Sequence, residues 1–293
     1  LGTALDYKWH FTVRRYETGA DGVPYPAAYV RYLEEGAIQA SAHHGFTSEW
    51  YLQHGHFWII RRLALRFYQP AFPDDELELH TWISSLRRVA SHREYDLRRL
   101  SDGARIVRAR HDWIYVNAAT MRPATIPPEI ALNFEPLTSI EELDIGIADP
   151  QPIQAPRIYE STRRVMRSDL DLAQHVNNAV HLGWCDDHVI EALRDVGFAP
   201  DTPIAPGVTQ HRLAHEVDYL RPVKDHDSLI LKTSLAEYGA DRAAFMTTIH
   251  HAETGELLAT DRLTFAYTDP HGPCPVPPAL LTAMAAQQEI TNG

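Results

Sequence analysis

Two stretches of the chain, 26–44 and 178–196, place apolar residues at helical spacing. In the first, Tyr29, Leu33, Ala37 and Ala40 recur on one face, with Pro26 near the start and Gly45 as the stop. In the second, Leu182, Cys185, Val189 and Leu193 share a face before Gly197. Each helix is preceded by one strand-like run and followed by four. Strands are predicted at 8–16, 56–68, 76–87, 91–100 and 105–117, then at 158–167, 210–220, 228–237, 242–251 and 257–268. Turn segments such as Pro70–Asp75 and Ser101–Gly103 separate them. This order predicts an α+β layer arrangement in which an antiparallel sheet wraps a long central helix, twice over. An acidic, proline-bearing stretch at 136–156 reads as a connector, and a Pro-rich tail from 270 ends in a short helix at 277–288.

The repetition reaches individual positions. Residues 15–117 lie over 167–269 without a gap: Arg15 falls on Arg167, Gly45-Phe46 on Gly197-Phe198, Pro70 on Pro222 and Asp75 on Asp227. Leu77 meets Leu229, Thr81 meets Thr233, Gly103 meets Gly255, Arg110 meets Arg262 and Tyr115 meets Tyr267. Two copies are too few for a solenoid, so each is a compact unit or the pair is one pseudo-dimer. The domains expected are 1–135, a connector at 136–156, and 157–293.

The copies differ most in the loop ahead of the helix. Asp171 corresponds to Gly19, His175 to Val23, Asn177 to Tyr25 and Asn178 to Pro26. An acid, an imidazole and an amide at a helix N-terminus can make a hydrolytic centre, because the free N–H groups of the helix end favour developing negative charge. The plainer alternative makes Asp169 and Asp171 turn and capping residues. The loss of every polar group from the first copy favours chemistry in the second. Asn178 is read as the helix N-cap.

Composition narrows the partners. A net charge of -12 argues against nucleic acid as a bulk partner, although arginine pairs such as Arg61-Arg62 and Arg163-Arg164 could form local basic patches. No apolar run has the ~20 residues of a membrane helix. Two cysteines, Cys185 and Cys274, fit a reducing compartment, and the cytoplasm is the expected location. Cys185 falls on the apolar stripe of its helix and reads as an inert buried thiol. The 17 histidines invite a metal reading at His54 with His56, His211 with His215, or His250-His251. No cysteine or carboxylate set completes a tetrahedral site around any of them, so no metal and no cofactor is expected. His181 reads as a packing or pocket residue.

The segment Ser168-Asp-Leu-Asp-Leu-Ala-Gln-His-Val-Asn-Asn178, followed by Gly183-Trp184, resembles the hotdog-fold thioesterases, and more specifically the acyl-acyl-carrier-protein (acyl-ACP) thioesterases. Arg15–Asp21, Thr81–Ser84, Arg108–Trp113, Asn117 through Arg122-Pro123, and Ile126–Glu129 add to the resemblance, which covers nearly the whole chain. It implies a tandem (double) hotdog and hydrolysis of a fatty acyl thioester in fatty acid biosynthesis. It matches the family's catalytic acid to Asp171 and its histidine to His175. The family's Asn two residues after the acid is Ala173 here, and its Glu-Cys pair is Pro222-Val223. The Tyr-x-x-Pro-x-x-x-x-Asp form at 219–227 is closer to the acyl-CoA hotdog enzymes.

The expected activity is therefore acyl-ACP hydrolysis without a cofactor. Asp171 acts as general base or as nucleophile, assisted by His175 and Asn177. The first copy would contribute acyl-chain binding. Acyl-CoA hydrolysis, or acyl binding without hydrolysis, are the alternatives, and monomer and homodimer are both open.

Overall fold

The structure, a computed structural model, describes residues 6–133, 141–198 and 203–285. The chain divides into two compact units, residues 1–144 and 145–293.

The first unit opens with strand β1 (Asp6–Thr12), a 3-10 turn at Arg15–Glu17 and helix α1 (Pro26–His43). Helix α2 (Ser48–Gln53) follows, then β2 (His56–Phe67), β3 (Glu76–Leu86), β4 (Ala90–Arg99), β5 (Arg105–Asn117) and helix α3 (Pro128–Asn133). The strands pair antiparallel in the order β1-β3-β4-β5-β2. Helix α1 buries Tyr29, Val30, Leu33, Ala37 and Ala40. Its Gly36 lies so close to the sheet that a Cβ there would stand 2.2 Å from Leu79 Cδ2. The α1 pattern runs one residue short of the expectation, ending at His43. The α2 turn was not expected; its signal is the N-cap Thr47, whose hydroxyl accepts from the Trp50 N–H.

The second unit has a short β6 (Gln151–Pro152), β7 (Tyr159–Arg164), a 3-10 turn at Arg167–Asp169 and helix α4 (Asn178–Asp195). Then come β8 (Thr209–Tyr219), β9 (Ser228–Tyr238), β10 (Arg242–His251), β11 (Leu257–Asp269), β12 (Gly272–Pro273) and helix α5 (Pro278–Met284). Its sheet runs β7-β9-β10-β11-β8, with β6 also on β9 and β12 on β11. Part of the stretch read as a connector is thus a strand: Gln151 pairs with Tyr238. The part of the tail helix expected beyond 285 lies outside the described residues.

The two units share their register as well as their order. Tyr7 pairs with Thr81 and Tyr159 with Thr233; Leu77 pairs with Arg99 and Leu229 with His251. The bulges coincide too. Arg61, Ser84 and Ile106 are skipped by their partner strands in the first unit, and Leu213, Ala236 and Leu258 in the second. A bulge re-aims every residue after it, so matched bulges keep the same positions facing the helix in both copies.

Candidate active site

The loop between β7 and α4 folds back on itself. The Asp171 N–H donates to the His175 carbonyl at 2.9 Å, the Gln174 N–H to the Asp171 carbonyl at 3.1 Å, and Leu170 bridges Val176. Gln174 takes the left-handed conformation this tight turn requires, with φ 61°. The loop of the first unit makes the same bonds: Gly19 to Val23 at 2.9 Å and Gly22 to Gly19 at 3.0 Å, with Thr18 bridging Pro24 and Gly22 at φ 77°. One backbone therefore presents two different sets of side chains.

In the second unit the turn brings Asp171 and His175 together. Asp171 Oδ1 accepts from the Ala173 N–H at 2.8 Å, and Oδ2 accepts no hydrogen bond among the described residues. Both side chains are half-buried. Burial lowers the His175 pKa, the Asp171 charge works against that, and Lys224 adds to it. The imidazole is accordingly neutral at pH 7. Lys224 directly follows the Pro222-Val223 pair, and the Val223 carbonyl accepts from the Val176 N–H at 2.9 Å. The place of the family's Glu-Cys is thus beside the loop, held by backbone, with a lysine ammonium as the nearest added charge.

The N-cap is Asn177 rather than Asn178: its side-chain oxygen accepts from the Ala179 N–H at 3.0 Å. Asn177 keeps the extended backbone of a capping residue, while Asn178 already has helical geometry. The Asn178 N–H finds no acceptor among the described residues, as expected of a first-turn amide. Asp169 does turn work, accepting from the Met166 N–H at 2.8 Å.

His181, one turn into α4, is more than a packing residue by its bonding. It is 3% exposed, and its Nδ1 has no hydrogen-bond partner. Burial pulls its pKa down to about 4. Its ring lies 5.6 Å from Tyr219, whose hydroxyl donates to the Asn178 carbonyl at 3.0 Å. In the first unit Tyr29 sits in the matching socket, 5.6 Å from Phe67, and its hydroxyl is satisfied by the Ala71 N–H at 3.4 Å.

Deeper under α4 lies a group the motifs did not reveal. His215 is fully buried, with Nδ1 2.9 Å from Asp261 and Nε2 3.7 Å from Asp186; Arg212 Nε holds Asp186 at 2.6 Å. Burial lowers the His215 pKa, but the two carboxylates outweigh it and raise the imidazole to about 9. The repeat carried the signal, since Leu63 and Ala109 stand at the matching positions. His188, where α1 has Gly36, bonds Thr233 at 2.7 Å and Ser161 at 3.0 Å. Cys185 is fully buried, and its thiol pKa is raised well above the ordinary value by burial and then by Asp261 and Asp186. It is no nucleophile. The other histidines considered for metal bond to backbone or hydroxyl groups: His54 to the Trp50 carbonyl, His56 to the His54 carbonyl, His211 to Thr268 and His250 to Thr248. Among the described residues no group of three ligands is disposed around a metal ion.

Residues 4–134 match the acyl-ACP thioesterase N-terminal domain, and residues 165–284 match the thioesterase-like superfamily. The chain belongs to the acyl-ACP thioesterase family. Among curated relatives of this family member, an oleoyl-acyl carrier protein thioesterase of Arabidopsis thaliana is 26% identical over 205 residues, 65% of this chain and 56% of that protein. An acyl-CoA thioester hydrolase of Escherichia coli is 27% identical over 143 residues, covering 46% of this chain and 99% of that one. A 12:0-ACP thioesterase from Umbellularia californica superposes with a TM-score of 0.67 at 20% identity, over 90% of this chain and 95% of that one, which establishes a common hotdog-like fold. The chain spans about half the length of the first curated relatives it matches. No described helix is long and apolar enough to cross a membrane.

Proposed function

We propose that the protein hydrolyses an acyl-ACP thioester to the free acid and the carrier thiol. Each unit is then one hotdog domain of a tandem pair. Residues 1–135 carry the degenerate loop and bind the acyl chain, 157–293 carry the catalytic loop, and 136–156 join them. The observation that carries this reading is the contrast between two loops of one backbone, of which only the second sets a carboxylate and an imidazole ahead of a long helix.

In this scheme Asp171 takes a proton from water as the water oxygen attacks the thioester carbon. The carbonyl electron pair moves to oxygen, and that oxyanion faces the unpaired Asn178 N–H and the positive end of the α4 dipole. Collapse re-forms the carbonyl and breaks the C–S bond. The pair leaves on sulfur, which regains the proton from Asp171. The neutral His175 orients the carboxylate or the water, and Asn177 fixes the helix start. Direct attack by Asp171, giving an anhydride that water then opens, uses the same groups. Neither route needs a metal or cofactor.

A second reading, acyl-CoA hydrolysis, is favoured by the Tyr219–Asp227 segment and by the acyl-CoA relative. Thiol release from acyl-ACP and acyl-CoA of equal chain length, followed side by side, separates the two. Intact recovery of both substrates removes the enzymatic reading and leaves acyl binding. The two free, buried cysteines suit a reducing cytoplasm. The tandem pair can act as a monomer or as a homodimer, and the mass in solution decides between them.

A further inference from the structure

The floor beneath α1 is polar where the same fold in the second unit is apolar. On β4, Arg93 and Tyr95 share the face of Leu97, which pairs with Leu79, the residue that meets Gly36 of α1. His111 on β5 pairs directly with Arg93. At the corresponding positions the second unit has Phe245, Thr247 and Leu263, all buried, with Phe245 and Leu263 part of an ordinary hydrophobic core.

Arg93 is 7% exposed, and its guanidinium has one long hydrogen bond, 3.4 Å to the Thr81 hydroxyl. Among the described residues no carboxylate pairs with it. Its electrostatic partners are the phenols of Tyr95 and Tyr51. The fully buried His111 has Nδ1 3.0 Å from the Tyr95 hydroxyl, while its Nε2 has no partner. With Tyr95 donating to Nδ1, the ring proton sits on Nε2 and has no acceptor. Burial, and then the Arg93 charge, lower the His111 pKa to about 3, so the ring is neutral. A buried cation without a counter-ion and a buried donor without an acceptor are both strongly unfavourable. Two of them on adjacent strands, in a fold that fills the same place with Phe and Leu elsewhere in the chain, mark a site for a ligand.

We propose that the first unit binds the distal end of an acyl group bearing a carboxylate, with Arg93 as its counter-ion and His111 as a second donor. This rests on the assignment of acyl-chain binding to residues 1–135, and it narrows the substrate to ω-carboxyacyl thioesters. A carboxylate accepts a guanidinium's N–H groups in a planar, bidentate arrangement. The adjoining wall of Ile83, Tyr115 and Trp58 suits the methylene chain that precedes it.

The test uses the full chain. Wild type is assayed with a saturated acyl-CoA and the ω-carboxyacyl-CoA of equal length, and kcat/KM for the carboxylated substrate is expected to be higher by about 10²-fold. Arg93→Met brings that ratio close to one. The same variant, without ligand, is expected to melt at a higher temperature, because a buried unpaired charge has been removed. Equal kcat/KM for both thioesters in wild type overturns the proposal, as does a fall of several degrees in the Arg93→Met melting temperature with the ratio unchanged. A free α,ω-dicarboxylate is expected to raise the wild-type melting temperature where the matching monocarboxylate does not. Equal effects of the two acids overturn the proposal whether or not the variant folds. If neither thioester is hydrolysed, the thioesterase reading falls, and the dicarboxylate experiment still decides the Arg93 site.

Discussion

The loops at 14–26 and 166–178 make the same backbone hydrogen bonds, bridge the same pairs and lead into helices of the same length. One presents Gly19, Val23 and Tyr25; the other presents Asp171, His175 and Asn177. Backbone geometry and chemistry have been separated within one molecule. The contrast reverses under the helices. There the first unit holds the unpaired Arg93 and His111, while the second has an apolar core at those positions and places its own ions at Asp186, His215 and Asp261. Each copy departs from an ordinary core at a different place, which is the pattern of a division of labour rather than of decay in one half.

The largest effect expected from disturbing that contrast is at Asp171. Asp171→Asn lowers kcat by about 10²–10⁴-fold with an unchanged melting temperature. The mirror change Val23→His in the first loop leaves turnover where it was. Steady-state kinetics on both variants checks this, and a fully active Asp171→Asn protein reassigns the acid. Next comes the buried ion group. His215→Leu strands Asp261 and costs about 3–5 kcal/mol in denaturant unfolding. Adding Asp261→Ala, so that both positions match Leu63 and Ala109, restores most of the loss.

The same pair sets a pH dependence. The folded-state pKa of His215 is raised to about 9, above the ordinary histidine value near 6.5. Its contribution to stability is fully present below pH ~6.5 and is lost as pH rises through about 9. Wild-type unfolding free energy therefore falls across that window, and the His215→Leu/Asp261→Ala protein shows a flatter profile there. The smallest change is at the loop tip. Gln174→Gly relieves a left-handed non-glycine residue, as Gly22 does in the first loop, and stabilises by under ~1 kcal/mol.

Much of the architecture was legible because each element has its own punctuation. Helix α4 begins where Asn178 was expected and its strands end within a residue or two of the turn signals, since Gly197, Pro222 and Gly255 leave little freedom. The β1 strand stops at Thr12 rather than 16 because the 3-10 turn at Arg15–Glu17 takes over, with Glu17 capping the Arg14 N–H. Helices α2 and α3 are single turns of six residues, too short to show a period. Asp171 and His175 were readable as a pair because four residues of one turn separate them. His215 and Asp261 were not, because only the β8–β11 pairing brings together residues so far apart in sequence. Arg93 and His111 were hidden for the same reason, joined across β4 and β5.

The six matched bulges have a further consequence. Each is a half-step in the pleat, and an unmatched half-step would turn a transplanted strand inside out. Because both copies take the same half-steps at the same points, residues 76–117 and 228–269 are interchangeable parts. A chain built by exchanging them keeps every inward residue inward, so the ancestral gene could be shuffled, lengthened or cut back by recombination without breaking phase.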